Sequence, residues 1–117
     1  MSESVDGFFT AFLTGKAGSG FSMFVIRKGK LVGSDMLGAV YDGRIEQDGA
    51  DAYKVILGVR LPPNLPLIQG GMSGPFGDTY EMSFNLPHEF TSQSFVRIDT
   101  KHGPLNAKIV KIRALDD

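Results

Sequence analysis

The segment "DTYEMSFNL", residues 78–86, alternates without a break: Tyr80, Met82, Phe84 and Leu86 share one parity, and Thr79, Glu81, Ser83 and Asn85 share the other. Side chains two apart lie on the same face of an extended chain, so this pattern is a strand with one buried face. "AYKVILGVRL", residues 52–61, repeats it, with Tyr53, Val55, Leu57, Val59 and Leu61 inward and Lys54 and Arg60 outward. Six further apolar runs, at 7–14, 21–27, 30–33, 39–46, 94–100 and 105–113, are cut from one another by turn residues drawn from 15 glycines and 6 prolines. Eight short strands in one domain, residues 1–117, predict an all-β, closed or nearly closed antiparallel barrel. Tyr53, Val55, Leu57, Tyr80, Met82, Phe84, Val96 and Ile98 are expected to point inward.

Two connections carry their own chemistry. Lys28-Gly29 sits between two apolar runs as a tight hairpin turn in which glycine supplies the positive φ. Residues 62–77, "PPNLPLIQGGMSGPFG", open with three prolines in five positions, which prevents regular pairing and predicts a surface loop or lid with at most a strand fragment at 67–69. In the last run Leu105, Ala107 and Ile109 share one parity while Val110 and Ile112 share the other, which places a β-bulge near Ile109. "GSDMLGAV", residues 33–40, is expected to hold at most one short helix, with Ser34 or Asp35 as its N-cap.

The charge balance, 12 basic against 13 acidic residues, gives no field that would draw the chain onto a phosphate backbone, so no direct nucleic-acid partner is expected. Cysteine is absent, which excludes disulfides and thiolate chemistry and fits a cytoplasmic setting. No apolar run has the roughly 18 residues of a membrane helix, and "MSESVDGFFTAFL" lacks the basic lead of a signal peptide. No membrane association is expected.

The catalytic motifs are near misses. "TGKAGSG", residues 14–20, has the glycines of a phosphate loop, but Lys16 precedes the later glycines and a strand, not a helix, follows; a flexible hairpin accounts for it. "GGMSGP" around Ser73 has proline where a nucleophile elbow needs glycine. His88 and His102 lie beside turns without a second histidine at ligand spacing, and Glu89, next to His88, would face away from it on a strand. "EQDGAD", residues 46–51, lacks the calcium-loop spacing and reads as a solvated turn. Lys108, Lys111 and Arg113 lack the aromatic neighbours that stack bases. No catalytic residue, metal or cofactor is therefore expected, and the protein is expected not to be an enzyme.

The first two runs are apolar on both faces: Phe9, Ala11 and Leu13 oppose Phe8 and Phe12, and Phe21, Met23 and Val25 oppose Phe24 and Ile26. A sheet covered on one side does not need this. Phe8, Phe12, Phe24 and Ile26 are expected to form a protein interface, most simply that of a two-fold homodimer, unless the 62–77 loop folds over them.

"DGFFTAFLT" followed by "GFSMFVIRKGKLVGSDMLGAVYDGRI" resembles the GrlR family, bacterial negative regulators of type III secretion gene expression. The residues that carry the resemblance are Asp6-Gly7, the strand ending at Lys28-Gly29, "GSD" at 33–35 and "VYDG" at 40–43. It implies an eight-stranded, lipocalin-like, up-and-down barrel that dimerises and represses transcription by sequestering an activator protein. In that family an acidic run follows the position matching Glu46. Here the run reads Gln47, Asp48, Gly49, Ala50, with Asp51 beyond, so Glu46, Asp48 and Asp51 form the candidate recognition loop. The alternative is a small module that binds one apolar small molecule within the barrel, lined by Tyr53, Val55, Leu57, Tyr80, Met82 and Phe84, with Met72 and Phe76 at its mouth.

Overall fold

The computed structural model describes residues 5–115. Eight antiparallel strands follow one another: β1 (Gly7–Gly15), β2 (Gly18–Arg27), β3 (Lys30–Asp35), β4 (Val40–Asp48), β5 (Ala52–Leu61), β6 (Asp78–Pro87), β7 (Val96–Thr100) and β8 (Gly103–Arg113). They form one sheet in the order β6-β5-β4-β3-β2-β1-β8-β7, in which every neighbour is next in sequence except for the β1–β8 closure. β6 and β7 meet without a hydrogen-bonded ladder, so the barrel is nearly closed, with one seam.

Turn geometry explains the tightest reversals. Lys28 and Gly29 both have positive φ, 50° and 82°, the conformation a two-residue hairpin needs to match the strand twist, and Asp6 Oδ1 accepts the Lys28 N–H at 2.9 Å. At residues 33–40 no helix forms. Asp35 does cap, its Oδ1 accepting the N–H groups of Leu37 (2.8 Å) and Ala39 (3.0 Å), but Gly38 at φ 100° reverses the chain straight into β4. The one helical turn, a 3-10 turn at Phe90–Ser92, lies elsewhere.

That turn closes one end of the barrel. Its Phe90, 4% exposed, meets Phe9 at 5.9 Å between ring centroids and Tyr53 at 6.0 Å, while Phe9 stacks on Phe24 at 5.1 Å and 5°. Phe9, Ile26 and Val55 are the largest fully buried side chains. The expected bulge on β8 is displaced: Leu105, Ala107 and Ile109 keep one inward phase, and the register slips only beyond Lys111, where Phe9 pairs with Lys111 but Phe8 pairs with Arg113. The extra residue is Ile112, 54% exposed.

The other end is covered by residues 62–77, which form a strap across the barrel mouth. Ser73, buried at 4%, pins the strap to itself: its hydroxyl donates to the Pro62 carbonyl (2.6 Å) and accepts the Leu65 N–H (2.8 Å). An isolated bridge at Pro66 and Met72 replaces the expected strand fragment. Ile68 then docks on the glycine hairpin of β1 and β2, its carbonyl accepting the Ala17 N–H at 2.7 Å. A Cβ on Gly15 would lie 2.4 Å from the Ile68 oxygen, so the close approach of the strap requires glycine there, while the Ile68 side chain lies beside Gly18 and Gly20. Gly15 of "TGKAGSG" thus makes a seat for the strap.

Candidate functional site

Between the aromatic floor and the strap the barrel is hollow, enclosing a cavity of about 400 Å³. Its wall includes Ile26 of β2, Val55 and Leu57 of β5, Met82 and Phe84 of β6, and Ile109 of β8. An eight-stranded barrel is just wide enough for its own side chains to fill, so an open interior requires small residues somewhere on the wall. They lie on β8, β1 and β2: Ala107 faces Leu13, and Ala11 faces Ser22, all turned inward. The mouth runs between the strap and the β3–β4 turn, whose Met36 and Leu37 are 78% and 59% exposed yet contribute to the lining.

One polar corner interrupts the apolar wall. Tyr41 pairs with Gly33, where a Cβ would lie 2.9 Å from the Tyr41 ring, so the missing side chain lets the ring lean across β3 toward Ser22. Burial pushes the Tyr41 hydroxyl up to about 12; a hydrogen bond with Ser22 acts against this, and the Asp35 charge and Tyr80 add to the rise. Tyr41 is therefore a neutral hydroxyl throughout the physiological range. Tyr80 is raised too, by burial and then by the charge of Asp78.

Asp78 stitches the seam at the mouth. Lys101 Nζ donates to both its carboxylate oxygens, at 3.1 and 3.0 Å, and His102 Nε2 lies 3.0 Å from Oδ2. The Lys101 hydrogen bond holds the Asp78 carboxyl below its ordinary range; partial burial opposes the shift and His102 adds to it. The ammonium of Lys101 and the ring of His102 also pack on Tyr80. His102 thus meets an acid, but among the described residues no serine hydroxyl bonds its ring. His88 is exposed and stacks on Tyr53 at 5.0 Å.

Of the residues expected to line the interior, Val55, Leu57, Tyr80, Met82 and Phe84 are on the cavity wall. Tyr53 is not: it belongs to the aromatic floor. Met72 and Phe76, 60% and 97% exposed, stand on the strap without lining the cavity. The expected interface set divides. Phe8 and Phe12 are on the outer face, whereas Phe24 lines the cavity and Ile26 is 0% exposed. The cause is register: the two-residue turn at Lys16 and Ala17 pairs each odd position of β1 with an even one of β2, so Phe9 faces Phe24, and Phe8 faces Val25. The outer apolar face therefore consists of Phe12 (54% exposed), in edge contact with Phe21 at 5.2 Å, with Met23 and Val32 (46% each). The strap lies over the mouth and leaves these three side chains accessible. Glu46, Asp48 and Asp51 are exposed on the β4–β5 hairpin, at the end opposite the strap.

Sequence reasoning passed over Ser22, Tyr41 and Ile68. The signal for the hollow was present in Ala11, Ser22 and Ala107, small residues at inward positions of three adjoining strands.

The fold and this site define a class: a floored, strapped β-barrel with one apolar internal cavity and one hydroxyl corner. No protein-family model, curated protein or solved structure matches the chain. Among the described residues no helix is long and apolar enough to cross a membrane.

Proposed function

We propose that the protein is a non-catalytic binding barrel that takes up one apolar small molecule through the mouth beneath the strap. The observation that carries this reading is the cavity of about 400 Å³, walled by aliphatic and aromatic side chains. That volume falls within the roughly 300–1,000 Å³ of small-molecule sites, and a few polar groups against an apolar wall is their usual composition. Titration with the neutral dye N-phenyl-1-naphthylamine tests it. Saturable fluorescence enhancement at one dye per chain is expected; a linear, non-saturating response would contradict the reading.

A second reading follows from the resemblance to the GrlR family: regulation by contact with an activator protein, from a homodimeric state in the cytoplasm. The exposed Phe12, Met23 and Val32 favour it, since apolar side chains grouped on one sheet face mark contact surfaces. Sedimentation velocity at micromolar concentration is expected to show a dimer that Met23→Lys converts to monomer. A dimer unchanged by that substitution would remove the face from the interface.

A further inference from the structure

The cavity discriminates by charge as well as by apolarity. None of its lining residues is a lysine, arginine or histidine, and the one ionic side chain among them is Asp35. The nearby basic side chains at the mouth, Lys101 and His102, are both engaged by Asp78. A carboxylate brought into this interior would leave water without meeting a counter-charge, and would feel the field of Asp35 besides. An unpaired buried charge is among the most costly arrangements in a protein. An ammonium, by contrast, could meet Asp35, so the discrimination falls on anions.

What the interior does offer is a neutral hydroxyl pair. Ser22 is 4% exposed, and Tyr41, leaning over Gly33, shares the cavity wall with it. A phenol that stays protonated can donate to a carbonyl or ether oxygen and can accept from an alcohol or amide. The other polar lining groups, Ser19, Gln69, Tyr80 and Thr100, also belong to the strap half, and the rest of the wall is aliphatic and aromatic down to the floor, so only one end of a ligand finds polar partners. The volume sets the scale: at about 30 Å³ for each water-sized group, the space holds on the order of ten to twenty non-hydrogen atoms, a range that takes in the dye as well as a ten-carbon chain.

We propose that the barrel selects a neutral amphiphile, an apolar chain or ring of that size with one uncharged hydrogen-bonding head (hydroxyl, ketone or amide) lodged against Tyr41 and Ser22, and that it discriminates against the corresponding carboxylate. This rests on the reading of the cavity as a binding site and adds the chemical class of its occupant.

Competition against N-phenyl-1-naphthylamine at pH 7 tests both levels separately, with 1-decanol and decanoate as probes of matched chain length. Decanol is expected to displace the dye at concentrations at least tenfold lower than decanoate. Tyr41→Phe is expected to weaken decanol about two- to tenfold, the range of one net hydrogen bond, while leaving decanoate unchanged. Decanoate binding as tightly as decanol would overturn the selectivity while leaving the cavity as a site. Decanol affinity untouched by Tyr41→Phe would overturn the placement of the head group. A dye that fails to bind the unmodified protein would overturn the site itself.

Discussion

Leu57→Trp is expected to weaken binding of N-phenyl-1-naphthylamine at least tenfold, about 1.4 kcal/mol or more, while the barrel still folds. Leu57 is 8% exposed, projects from the middle of β5 into the cavity, and pairs with Gly43 on one side and Met82 on the other. An indole there grows into empty space. In a packed core an enlarged side chain forces its neighbours off their rotamers at about 1–3 kcal/mol; with a hollow beside it, that strain is relieved by filling. The two effects therefore separate: affinity falls and the thermal midpoint moves little. Unchanged dye affinity in this variant, with the fold intact by circular dichroism, would place the dye outside the barrel.

The second large effect falls on stability. Phe9→Ala is expected to cost about 3–5 kcal/mol, the range for removing a buried phenylalanine. Phe9 is 1% exposed and joins the aromatic floor to the wall through its stack on Phe24 and its contact with Phe90. Truncation removes the ring area from the core and leaves both partners without a face to pack on. The cavity above resists collapse, because ladders tie the strands around it at every junction but the β6–β7 seam. For a domain of this length the thermal midpoint is expected to drop by more than about 10 °C. A loss under about 1 kcal/mol would mean that the floor repacks freely and the aromatic contacts hold little of the fold.

These two substitutions also show which features were legible in the sequence. The alternation of residues 78–86 and 52–61 reports directly on which side chains face inward, because strand geometry admits only one period, and both strands are placed accordingly. The strand count follows from the same rule. What alternation cannot convey is register between strands. The two-residue turn at Lys16 and Ala17 sends Phe24 and Ile26 inside, and with both faces apolar nothing in the letters distinguishes inside from outside. Tyr41 and Ser22 escaped for a related reason: they are brought together across β3 by the absence of a side chain at Gly33, a three-strand relation that no single strand records. Gly15 is plain in the sequence, but its purpose depends on Ile68, about fifty residues away in the chain.

The strap and the floor have unequal attachment, and this fits the direction of entry. The floor is held by packed rings, whereas the strap is held by one buried apolar side chain, Leu67, by the half-buried Leu65 and by a few hydrogen bonds, chiefly Ala17 to Ile68 and Gln69 Nε2 to Thr100 Oγ1 at 3.1 Å. Buried aromatic packing opens at greater free-energy cost than exposed backbone hydrogen bonds, so the mouth is the end that yields.

The most direct measurement is methyl-resolved NMR of the protein titrated with N-phenyl-1-naphthylamine, reading intermolecular nuclear Overhauser effects. Contacts from the dye to the methyl groups of Val55, Leu57 and Ile109 are expected, with Val32 and Ile112 on the outside unaffected. Contacts confined to Val32, Met23 and Ile112, with the interior methyls silent, would contradict an open and accessible barrel.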